Sequence, residues 1–144
     1  LGSHETYFGS ARNEYLANGK KFTSGIQALQ VPDTLKSNVL YLSGIWNFVD
    51  ESAEASSGAE IVYRYTAKNV YLVASSDQGS IIEVYRDGKL VSSEAGEDVD
   101  KNTGTISVGQ NRLYKLIEDS DYGTYILKIK IKSGTLKAFA FTFG

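Results

Sequence analysis

The chain of 144 residues has no cysteine, no methionine, one proline and one histidine. Without cysteine there is neither a disulfide framework nor thiol chemistry, and compartment stays open on that ground. The single histidine, His4, stands in Leu1-Gly2-Ser3-His4, which reads as the remnant of a cleaved affinity tag. Histidine-based metal sites and Ser-His-Asp catalysis are thereby excluded. The missing methionine points the same way: native sequence is expected to start near Glu5, in a domain cut from a longer protein or, alternatively, in a processed mature protein. No apolar run approaches the ~20 residues of a membrane-crossing helix, and none has the plan of a signal peptide. With 15 basic against 17 acidic residues, a net charge of -2, the chain has no basic surplus with which to neutralise nucleic-acid phosphates.

What is present is short-period hydrophobic alternation. In YILKIKIK, residues 125–132, Tyr125, Leu127, Ile129 and Ile131 share one face, and Lys128, Lys130 and Lys132 share the other with Ile126. The lysine row suits a solvated face or a charged guard against edge pairing. After Ser133-Gly134, KAFAFTFG sets a row of Phe139, Phe141 and Phe143 against small Ala138, Ala140 and Thr142, so the two segments are expected to form a closing β-hairpin. Upstream, AEIVYRYTA, NVYLVAS and SIIEVYRDGKLV predict three or four short strands, with Asp87-Gly88 as a hairpin turn between Tyr85 and Leu90. Strand character also appears at 39–42, 105–108 and 112–118, and DSDYG reads as a turn before the closing segment.

Residues 5–144 are thus expected to form a single all-β domain, a sandwich or barrel of about eight or nine antiparallel strands. Residues 1–4 stand apart as the tag remnant, and 5–37 form an irregular N-terminal leader. Gly9, Gly19 and Gly25 argue against a long helix there, although a helical turn over 10–16 is expected, with Arg12 or Asn13 facing water. Tyr7, Phe8 and Tyr15 are positioned to pin the leader to the core.

The candidates for chemistry are few. The 17 carboxylates are scattered without a context that would mark a catalytic pair, so the fragment is expected to be noncatalytic and to need no cofactor. In EDVDKNTG, Asp98, Asp100 and Asn102 alternate like calcium ligands, but Thr103 and Gly109 occupy the positions where an EF-hand has its glycine and closing glutamate. A solvated turn is the simpler reading. Trp46 suits either a sugar-stacking platform or, beside Ile45, Phe48 and Val49, the core. Arg112 shares a strand face with Tyr114 and Leu116, so it is expected at the core margin, paired with an acid from 97–100 or free to hold an anionic group. Tyr7, Phe8, Trp46, Asp100, Arg112 and Tyr114 are the candidate ligand or domain contacts.

The combination of ETYFG, LSGIWN, AEIVYRYTAKNVYLV, VYRDGK, EDVD, NRLYKLI and the terminal KAFAFTFG resembles the C-terminal domain of DipZ-type thiol-disulfide proteins over nearly all residues from Glu5. The resemblance implies a galactose-binding-like jelly-roll sandwich, similar to a carbohydrate-binding module. It would follow a thioredoxin-like domain, often itself attached to a membrane-embedded electron-transfer domain related to cytochrome c biogenesis proteins. It implies an extracytoplasmic or periplasmic accessory module that packs on the thioredoxin-like redox domain or binds its protein clients; the alternative is a module that binds a cell-envelope glycan. The redox dithiol would lie in the partner domain, since this chain has no cysteine. Neither direct membrane insertion nor nucleic-acid binding by this domain is implied.

Overall fold

The structure, a computed structural model, describes residues 2–144; Leu1 of the expected tag remnant lies outside the described residues. Ten strands and no helix make up the described residues: β1 (Thr6–Tyr7), β2 (Gly25–Leu29), β3 (Leu40–Phe48), β4 (Ala53–Ser56), β5 (Glu60–Ser75), β6 (Ser80–Arg86), β7 (Lys89–Leu90), β8 (Thr105–Val108), β9 (Arg112–Ser133) and β10 (Thr135–Phe143). The architecture is the all-β sandwich expected from the alternation, with every ladder antiparallel.

Its spine is the ladder between β5 and β9, which runs from Glu60 opposite Lys130 to Ala74 opposite Arg112. The flanking strands divide along it. On the half beginning at Glu60, β3 pairs with β5 and β6 with the C-terminal part of β9. On the other half β10 takes the place beside β5, through pairs such as Phe141 with Leu72. β4 bridges β3 and β10, β1 lies outside β10, β2 outside β3, and β7 and β8 both pair with β6. Core side chains fill the space enclosed between these two arrays.

Each long strand reverses its inward phase partway along. In β5 the fully or nearly fully buried side chains are Ile61, Tyr63, Tyr65 and Ala67, then Val70, Leu72 and Ala74, and the register slips between Ala67 and Asn69. In β9 they pass from Tyr114 and Leu116 to Ile117, Leu127, Ile129 and Ile131, the change coming at the register slip opposite Val70 and Tyr71. In β10 they pass from Leu136 and Ala138 to Phe141, with an irregularity between Ala138 and Ala140. A bulge adds one residue to one strand, and with a side-chain period of two it carries every later side chain to the opposite face. The expected turn at DSDYG is therefore part of β9, and AEIVYRYTA and NVYLVAS are one strand. The row of three phenylalanines is also broken, since Phe141 is in the core while Phe139 and Phe143 are half-buried.

The closing hairpin is corrected as well. β9 and β10 follow one another across Gly134 but share no ladder: β9 pairs with β5 and β6, β10 with β1, β4 and β5. Gly134 makes this change of array possible. Its φ is +75°, and a Cβ there would strike the Gly79 carbonyl oxygen. The Asp87-Gly88 hairpin forms as the sequence predicts, with φ of +50° and +83° at its two central residues and Tyr85 opposite Leu90.

The leader belongs to the sandwich. Phe8 and Leu16 are fully buried, and Thr6 hydrogen-bonds the Tyr63 hydroxyl at 2.8 Å inside the core. Residues 10–16 form turns without a helix; Arg12 is exposed and Asn13 is buried. Gly134→Ala is expected to lower stability by ~2 kcal/mol or more, the cost of left-handed backbone plus the clash. Urea denaturation with an unchanged m-value would show it.

Candidate interaction surface

The pairing of β2 with β3 decides which side chains reach solvent. Ile26 stands opposite Asn47, Gln27 opposite Trp46 and Ala28 opposite Ile45. Trp46 points inward, is fully buried, and donates its Nε1 hydrogen to the Ser43 carbonyl at 2.9 Å. By alternation its neighbours Ile45 and Asn47 point outward together with Ile26 and Ala28. Gly44, with φ of +96°, marks the point where β3 leaves β5 for β2, its position for a Cβ lying 3.0 Å from the Ala59 Cβ.

The result is an exposed apolar face carried by leader and β3 together. Ile26 is 72% exposed, Ile45 66%, Phe22 59% and Val49 50%. A groove of about 560 Å³ crosses this face, with Ile26 and Ile45 on its apolar wall and Asn47, Glu54, Ser57 and Thr135 on its polar one. A second recess of about 530 Å³ lies between β2 and the loop 17–24 and is lined by Asn18, Lys20, Thr23 and Gln27.

Side-chain amides hold that loop. Asn13 accepts from the Phe22 N–H at 2.7 Å and donates to the Phe8 carbonyl at 3.3 Å. Asn18 is bonded to both the N–H and the carbonyl of Leu42, and Gln27 to the N–H and carbonyl of Lys20. Phe22 itself has φ of +56°, costly for an aromatic residue, so the strained turn presents its ring to solvent.

The residues singled out from sequence are spread over the domain. Phe8, Trp46 and Tyr114 are core residues with no surface to offer a ligand, which corrects the sugar platform at Trp46. Tyr114 donates its hydroxyl hydrogen to the Gln110 carbonyl at 2.7 Å and accepts from the Gly109 N–H. Tyr7 is half-buried under the Arg12 guanidinium, 3.7 Å from the ring centroid, and is bonded to Glu5. Asp100 accepts from the Asn102 N–H at 2.9 Å and donates its own N–H to the Thr105 carbonyl, while Asp98 is paired with Arg112. Only Arg112 and Tyr114 come together, the guanidinium 4.0 Å above the ring. Ile45 and Val49, read as core formers, are surface residues, and Ile26, Phe22 and Val49 are the ones that sequence reasoning missed. Their signal is faint: an apolar side chain on a strand reads as core until its partner strand is known.

Two polar constellations complete the surface. Arg86 lies between Asp119 and Glu94, 3.3 Å from the latter, and its guanidinium stacks 3.7 Å from the Tyr125 ring centroid. Below it, burial pushes the Tyr65 phenol up to about 12, against the opposing pull of Arg86, and its hydroxyl makes no hydrogen bond among the described residues. The other constellation is the expected acid pair of Arg112, which is Asp98, at 3.0 Å; Asp98 also accepts from the Lys115 N–H at 2.7 Å. Partial burial alone would raise the Asp98 carboxyl, but the Arg112 hydrogen bond, the Lys115 N–H and their charges outweigh it and hold it below the ordinary value. A depressed carboxyl contributes stability that is fully present above its unfolded value, ~3.9, and is lost as pH falls through the folded one. Asp98→Asn is expected to cost ~1 kcal/mol at pH 7, the Arg112 side being solvent-screened, and the deficit is expected to close in acid. Urea midpoints of both proteins across that range would measure it.

Comparison with known proteins adds to this geometry. No curated protein matches the sequence. A solved structure, a family two carbohydrate esterase from Cellvibrio japonicus, is similar with a TM-score of 0.56 at 16% identity, over 72% of this chain and 30% of that one. The likeness is one of fold, and this chain spans less than a third of that esterase's length. A family model described as the thioredoxin like C-terminal domain matches residues 3–144, and with that match over nearly its whole length the chain belongs to the thioredoxin-like C-terminal domain family.

Proposed function

We propose that this domain is a noncatalytic accessory module of a thiol-disulfide oxidoreductase, of the DipZ type and extracytoplasmic, and that it packs against the thioredoxin-like domain of its own chain. The observation that carries this reading is the exposed face of Phe22, Ile26, Ile45 and Val49. Exposed apolar side chains of this size favour association with another protein surface, because each side removes the other's apolar area from water. Within one chain even a weak contact suffices, since a short linker holds the partner at an effective concentration on the order of millimolar.

A glycan-binding module is the second reading, supported by the polar wall of the same groove, where Asn47, Glu54, Ser56, Ser57 and Thr135 line a space that could hold a sugar unit. With Trp46 in the core, such a site has no aromatic platform among its lining residues, which is why domain packing is preferred.

In an NMR titration of the labelled domain with the thioredoxin-like domain of its parent chain, shifts are expected at Phe22, Ile26, Ile45 and Val49. Ile45→Asp is expected to weaken the contact about tenfold by setting a desolvated charge against apolar surface, without loss of fold. A folded domain that shows no shift on this face would overturn the reading. Shifts at Asn47 and Glu54 with envelope glycans at millimolar concentration, and none with the redox domain, would favour the sugar reading instead.

A further inference from the structure

β2 is an open edge. Its five residues pair with β3 on one side, and among the described residues no other hydrogen bond reaches the backbone N–H or carbonyl groups of Gly25–Leu29. The other outer strands are shorter: β1 and β7 have two residues each and β8 four, with Thr105 of β8 taken by the Asp100 loop. Natural sheets protect such an edge with charge, proline or a bulge, because unpaired main-chain groups recruit another strand. Gly25-Ile26-Gln27-Ala28-Leu29 has none of these and no charge.

We infer that the free edge of β2 is a strand-addition site for an extended, uncharged segment of polypeptide, the form a client of a thiol-disulfide protein has before it folds. This rests on the accessory role proposed above and gives it a second ligand. Five edge residues extend over ~17 Å, enough to register a segment of similar length by main-chain bonds largely independent of its side chains. The segment's outward side chains would lie beside Ile26 and Ala28, which bear no charge and so favour a partner without one. Its inward side chains would enter the recess walled by Lys20, Thr23 and Gln27. Phe22, held out by its strained turn, stands at the start of the strand as an apolar anchor.

The test uses the labelled domain and the blocked peptide acetyl-Thr-Val-Thr-Val-Thr-amide. Shifts and slowed amide exchange are expected at Gly25–Leu29 and not at Thr105–Val108. The same peptide N-methylated at every residue keeps its side chains but loses its main-chain N–H donors, and is expected to bind at least about tenfold more weakly. Ala28→Lys, which restores the missing edge charge, is expected to weaken the parent peptide several-fold in a folded domain. Equal binding of both peptides, or no change at β2 with the peptide at millimolar concentration, would overturn the inference. So would β2 shifts that grow with domain concentration alone and a doubled mass in sedimentation, which would mean that the edge pairs with a second copy. Shifts at Ile45 and Val49 with the redox domain, and none with peptide, would leave the packing reading standing and this one refuted; the reverse pattern would do the opposite.

Discussion

The ladder between β5 and β9 is the constraint on which the rest depends. Two long antiparallel strands cannot serve two packed arrays unless they change the face they present to the core, and each does so at an irregularity in the ladder, beyond Ala67 in β5 and at Leu116-Ile117, opposite Val70 and Tyr71, in β9. The two slips lie close together along the ladder, and pairing resumes beyond each while the inward side chains change phase. β10 repeats the device in the interval between Ala138 and Ala140. The aromatic cluster sits where these strands meet, with Tyr63 5.4 Å from Phe141 and 5.1 Å from Phe143, centroid to centroid.

From that spine the surface follows in steps. β3 pairs with β5 only as far as Ser43; beyond Gly44 it is free to accept β2, and the leader strand fills the place. Trp46 faces inward there, so its neighbours on β3 must face outward, and Ile45 becomes a surface residue by the geometry of the pleat. The leader is fastened by polar groups rather than by bulk alone: Asn13, Asn18 and Gln27 satisfy loop amides and carbonyls that no strand reaches. A free edge and an apolar face therefore occur at one place because one strand was added late in the layering and nothing was added outside it.

The charged groups show a different division of labour. Arg86 draws Glu94, in the excursion before β8, and Asp119, at the irregular part of β9, onto the end of β6. Arg112 and Asp98 do the same for the loop beneath β9. Both arginines also lie over tyrosine rings, so each tie combines ionic, hydrogen-bonding and stacking contributions, that of Arg86 in the drier setting. These pairs hold loops, and none of their residues lines the groove beside Ile26 and Ile45.

The all-β class, the Asp87-Gly88 hairpin, the strand at 125–132 with its buried isoleucines and the acid partner of Arg112 were legible in the sequence, because each is set by local alternation, by turn chemistry or by charges close along the chain. The missed elements share a cause. A bulge and a turn look alike in sequence, as an interruption of period two, so one long strand was read as two, and a phenylalanine row was read across the interruption in β10. Two strands joined by Ser-Gly look like a hairpin whether they pair or pass to different arrays, and only the obstruction of Gly134 by Gly79 shows which occurs. Alternation by itself determined that Ile45 and Trp46 lie on opposite faces; which of the two met the core, and so whether this domain showed its partners an indole or an isoleucine, was decided by the strands that packed against them.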